Sequence, residues 1–95
     1  MSGLVSFDIC KGNPGALAFV MAAYDKRMFD AERAFQKLSN AGILGDKLYM
    51  IWNDCCDRNV DKSIDMILNE DIDTINYYIN YEHGRGLKYC PEGDK

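Results

Sequence analysis

The chain has 95 residues, 47% apolar and 27% charged, and its 15 acidic and 11 basic side chains leave a net charge of −4. That length suits one domain with a single core, and the acidic balance argues against nonspecific duplex nucleic-acid binding, which needs a basic footprint. The apolar run Ala16–Tyr24 spans nine residues, well short of the ~20 that cross a bilayer, and no charged leader with an apolar core opens the chain, so a cytoplasmic protein is expected.

Residues 1–11 read as an arm, with an alternation from Leu4 to Ile9 that suits an edge strand or a segment laid on the domain. Asn13-Pro14 marks a helix start, because Asn is a favoured N-cap and Pro is favoured at the first helical position. The first helix then runs to about Met28. Leu17, Val20, Met21, Tyr24 and Met28 fall on one side and Ala18, Phe19 and Ala22 cover much of the other. A helix apolar nearly all round is expected to be buried, so this one is read as the hub.

A second helix is expected from Asp30, with Ala31, Ala34, Phe35 and Leu38 at i, i+3, i+4, i+7 and a stop at Asn40-Ala41-Gly42. Asp46 is expected to cap a third helix, with Leu48, Ile51, Trp52 and Cys55 inward, Trp52 on the hub and Asp54–Arg58 paired outside. Asp61 is expected to cap a fourth, carrying Ile64, Ile67 and Leu68. Asp71 or Asp73 should cap a fifth, carrying Ile72, Ile75 and Ile79 and ending before Gly84. The tail, 84–95, reads as looped and frayed at its end. The expectation is one all-α domain over 1–95, a compact bundle of about five short helices around a buried first helix.

Cys10, Cys55, Cys56 and Cys90 show no CxxC spacing, and His83 is the single histidine. Reduced structural thiols are expected, with neither metal nor cofactor. On a helix the adjacent Cys55 and Cys56 would point about 100° apart, so at most one should face the core squarely. Nothing in the sequence unites a cysteine, His83 and an orienting group, so no catalytic residue is assigned. In a helix-turn-helix over Asp30–Trp52 the second helix would present a single cation, Lys47, which is poor phosphate positioning.

Two stretches suit an anion. Lys11, Gly12, Asn13, Gly15 and Ala16 surround the start of the first helix, whose unpaired N–H groups attract negative charge. Tyr77 and Tyr81, with His83, Arg85 and Lys88, would set stacking surfaces beside cations. A helix terminus contributes at most about 2 kcal/mol, whereas micromolar binding needs about 8 kcal/mol. The two stretches must therefore converge, in one subunit or across a homo-oligomer formed through the spare tyrosine face. A third feature is the acidic run from Asn53 to Asp73, which could dock a basic partner.

The blocks Gly12–Ala16, Leu48–Cys56 and Asn80–Gly86 resemble, taken together, small proteins encoded by bacteriophages and prophages. That group brings no activity and no site residues. The resemblance implies a binding protein in host cytoplasm, such as an inhibitor of host defence. The leading expectation is a non-enzymatic protein capturing a small anionic, nucleotide-like ligand. The alternative is an acidic inhibitor that blocks a basic, nucleic-acid-binding host protein.

Overall fold

The computed structural model describes residues 7–80 and 86–90. A 3-10 turn over Phe7–Cys10 leads into α1 (Pro14–Asn40). Next come α2 (Asp46–Met50), a π turn (Ile51–Cys55), α3 (Val60–Asn69) and α4 (Ile72–Ile79). The all-α class is observed, and no strand occurs among the described residues. Among the described residues four α-helices stand where about five were expected, because the first two expected helices form the single element α1.

The start of α1 is as the sequence suggested: Asn13 Oδ1 accepts from the Ala16 N–H at 3.0 Å and Pro14 sits in the first turn. Within α1, Arg27 is non-helical (φ −144°, ψ 68°). In a straight helix Phe19 and Phe35 would lie about 24 Å apart, yet their rings meet edge-on at 5.3 Å. Tyr24 also reaches Phe35, at 5.6 Å. The helix therefore doubles back at Arg27, and its two arms pack on each other. The Arg27 guanidinium bridges the bend: it donates to Asp30 at 2.8 and 3.1 Å and reaches Asp61 at 3.3 Å and Asp65 at 3.0 Å on α3. Asp30, expected as a cap, lies inside α1 and accepts from Arg27 and Arg33 instead.

The second arm ends as expected. Gly42 is left-handed (φ 76°), Ile43 N–H donates to Leu38 O at 2.9 Å and Gly42 N–H to Ser39 O at 3.1 Å, which closes a Schellman motif. The hub is not enclosed on all sides. Ala16, Phe19, Val20 and Ala23 are buried, but Leu17, Ala18, Met21 and Ala22 face outward. Among the described residues, the other helices cover one side of the first arm and none covers the opposite one.

Two further caps move by one or two positions. Gly45, not Asp46, occupies the N-cap of α2, with φ 55°. Asn59, not Asp61, caps α3 and accepts from the Lys62 N–H at 2.9 Å. Asp71 caps α4, accepting from Thr74 N–H at 2.9 Å. Lys37 Nζ donates to the carbonyls of Ile67 and Glu70 at 2.7 and 2.6 Å, satisfying the end of α3.

The tail segment Gly86–Cys90 is strapped to the body. Gly86 N–H donates to Asp54 Oδ2 (3.1 Å), Leu87 N–H to Tyr78 O (2.9 Å) and Tyr89 N–H to Cys55 O (2.8 Å). Tyr89 is buried, and its hydroxyl donates to Glu70 at 2.5 Å. The first half of the expected strand over Leu4–Ile9 lies outside the described residues, and its last three positions, Phe7, Asp8 and Ile9, belong to the 3-10 turn. The expected fraying of 91–95 also lies outside them.

Candidate anion-recognition site

The site grows from the way α2 ends. The sequence spacing favoured a regular helix through Cys55, but Ile51–Cys55 takes the wider π pitch. Ile51 and Cys55 both point into the core, and Trp52 lies flat on Phe19 at 5.6 Å with planes 10° apart. The expected docking of Trp52 on the first helix is thus observed. Asp57 and Arg58 then adopt left-handed φ values of 52° and 61°. For side chains other than glycine this costs about 1–2 kcal/mol per residue, and such strain clusters at functional sites.

Reversal at Asp57 sends Arg58 back over the turn it has just left. Its guanidinium carbon stands 5.5 Å from the centre of the Trp52 ring. Nε donates to Asn53 Oδ1 at 2.8 Å and one Nη to the Tyr49 hydroxyl at 3.2 Å. Both partners are neutral, and among the described residues no carboxylate pairs with Arg58. Its side chain is exposed, so a cation is held in a fixed fork with its remaining N–H groups toward solvent. The expected Asp54–Arg58 pair does not form. Asp54 accepts from Asn53 and from the Gly86 N–H instead.

Cys56 leaves the helix with φ −121°, so the helical argument does not govern it, and Cys55 and Cys56 are both fully buried. Burial pushes the Cys55 thiol up to about 12 and raises Cys56 as well. These are protonated structural thiols rather than nucleophiles.

The sequence-selected residues divide. Lys11 and Gly12 are exposed, at φ 49° and 77°. Asn13 caps α1 and donates through Nδ2 to Asp46 at 2.7 Å. Gly15 lies under the Tyr49 ring, where an added Cβ would meet ring carbons at 2.3 Å. Ala16 is fully buried with its N–H occupied, so it cannot touch a ligand. The helix start is therefore capped and covered rather than open. Tyr77 is 67% exposed on α4, edge-on to Tyr78. Lys88 is exposed and pairs with Asp57. Tyr81, His83 and Arg85 lie outside the described residues.

A chain of contacts nonetheless links one residue of each stretch, Gly15 and Lys88. Gly15 touches Tyr49, Tyr49 holds Arg58, and Arg58 follows Asp57, which pairs with Lys88. Tyr49, Trp52, Asn53 and Arg58 were not singled out as a site from sequence. Trp52 and Arg58 are six apart, a spacing that regular helix geometry never brings together, and left-handed backbone at a charged residue leaves no mark in the sequence.

The acidic run is largely answered from within: Asp57 by Lys88, Asp61 by Lys26 and Arg27, Asp65 by Arg27. Compared with models of protein families, with curated proteins and with solved structures, the chain finds no match.

Proposed function

We propose that this is a non-enzymatic binding protein that recognises the phosphate or carboxylate of a nucleotide-like ligand through Arg58. The observation that carries the reading is the Arg58 fork, fixed over Trp52 by Asn53 and Tyr49 and directed to solvent without an acidic partner among the described residues. Each charge-assisted bond from it contributes about 1.5–3 kcal/mol. Two such bonds fall short of the roughly 8 kcal/mol that micromolar affinity requires, so the ligand must reach further. Lys88, which pairs with Asp57 next to Arg58, is the second cation along that chain of contacts. In a phage protein this activity would serve to sequester a nucleotide signal of host defence.

Calorimetric titration with a panel of cyclic and linear nucleotides tests the reading. Arg58→Ala should weaken binding of any hit by at least about 100-fold, the lower bound for losing two charge-assisted bonds. Arg58→Lys should recover only part of it, since an ammonium lacks the planar fork. Unchanged affinity in Arg58→Ala would refute the assignment. The acidic-inhibitor alternative has less support, because Asp57, Asp61 and Asp65 already have cationic partners in the fold.

A further inference from the structure

The bend in α1 has no cause in the local sequence. Sharp bends in helices ordinarily sit at proline, at glycine and serine, or at a π turn. From Ala16 to Leu38 the chain holds no glycine, serine or proline, and Lys26, Arg27 and Met28 at the bend are good helix formers. Only Arg27 leaves helical geometry, at φ −144° and ψ 68°. The two arms are also in phase. Ala16, Phe19 and Ala23 are buried on the first arm, and Ala31, Phe35 and Leu38 on the second. On a straight helix all six share one face about 160° wide, with Arg27 on its midline. We infer that Arg27 is a hinge through which two copies of the chain exchange first arms. With Arg27 helical, α1 runs straight for about 40 Å. Residues 7–26 of each copy then take on the other the place they hold in their own chain.

The contacts across the bend select a second copy as the partner. Phe19 and Tyr24 meet Phe35 at 5.3 and 5.6 Å, and Phe19 stacks on Trp52 at 5.6 Å. Asn13 donates to Asp46 at 2.7 Å and Gly45 N–H to Ile9 O at 2.8 Å. Each contact joins a residue before Arg27 to one after it. A straight α1 holds Phe19 about 24 Å from Phe35, so the same contacts need an arm of identical sequence, which another copy supplies.

The hinge keeps its own partners through the change. Asp30 lies three residues after Arg27, a pairing that a straight helix preserves and to which it adds Lys26 at i, i+4. Asp61 and Asp65 sit on α3, which Lys37 ties to the second arm. Two half-buried arginines, each matched by carboxylates, thus meet at the centre of the exchanged pair and fix the register of an otherwise apolar seam. The exchange does not depend on what Arg58 binds, but it changes how that surface is built. Gly15 under Tyr49 and Phe19 under Trp52 come from the other copy.

Refolding at about 1 µM and at about 500 µM, followed by sedimentation velocity against the 10.8 kDa monomer mass, tests the inference. The concentrated sample should hold a dimer with the Trp52 fluorescence of the monomer, because every core contact is retained. Arg27→Ala and Arg27→Gly lose the same side chain and differ in helix preference. With two hinges per dimer, the dissociation constant should be about 15–30-fold lower for Arg27→Ala. Exchange is distinguished from simple association by refolding Gly15→Ala, which crowds Tyr49, together with Tyr49→Ala. Native mass spectrometry should then show heterodimer above its random share, since one of its two contacts is native and the other is relieved. A wild type that stays monomeric after refolding at about 500 µM overturns the inference. So do equal dissociation constants for the two Arg27 variants, or a heterodimer at its random share.

Discussion

Gly15 shows how a single residue sets the geometry around it. Without a side chain it lets the Tyr49 ring lie against the start of α1, and that ring in turn positions Arg58. Gly15→Ala should therefore cost about 1–3 kcal/mol by overpacking and loosen the arginine as well. At Gly12 nothing lies within 4 Å of an added Cβ, but φ is 77°. Gly12→Ala should cost about 1–2 kcal/mol from backbone strain alone and leave Arg58 where it is. Urea unfolding separates the magnitudes, and Trp52 fluorescence separates the causes: emission from the folded state should change in the first variant and not in the second. From the sequence both glycines looked alike, as flexible turn residues. Only the partner across space distinguishes them.

At the scale of elements, the doubled-back α1 rests on Phe19, which meets Phe35 edge-on and Trp52 face-on. Phe19→Ala removes the wedge between both arms and the π turn and should destabilise by about 3–5 kcal/mol, read as a fall in the urea midpoint. Substitution of Met21, on the opposite side of the same arm, should change the midpoint of the monomer by less than about 0.5 kcal/mol. Most elements were readable in advance, because apolar spacing and caps agree: Asn13, Gly42 and Asp71 perform the roles their positions suggested. The errors have physical causes. At Gly45-Asp46 and Asn59-Val60-Asp61 two competent cap residues stand close together, and tertiary contacts choose between them. Asp46 is drawn to Asn13, and Asp61 to Lys26 and Arg27. The π turn is invisible to a 3.6-residue period, so the burial of both Cys55 and Cys56 and the approach of Arg58 to Trp52 were out of reach.

For the molecule as a whole, acid and base should act through different groups. Asp57 beside Lys88, Asp61 beside Lys26 and Asp71 capping through Thr74 are held below the ordinary carboxylate value of 3.8. Their stabilisation is present above about pH 4 and is lost as pH falls through the lowered values. High salt should erase the share from Asp57 and Asp61, which are held by cations, and spare the Asp71 cap, which is held by a backbone N–H. On the alkaline side burial raises Cys55 from 9.0 to about 12, and burial together with Glu70 raises Tyr89. The folded state keeps protons that the unfolded chain releases, so stability should decline from about pH 9 upward. A urea midpoint that stays flat from pH 8 to 11 would contradict the sealed environment described for these groups. Chain length bears on the molecule in one more way, through the π turn. Deleting one residue of Ile51–Cys55 would let the segment rewind to the common pitch with the flanking elements kept in phase, because a π turn holds one residue more than the α turn it replaces. The helices would survive that loss, but the wide turn over which the guanidinium folds back to the indole would be gone, so a one-codon deletion could silence this surface without unfolding the protein.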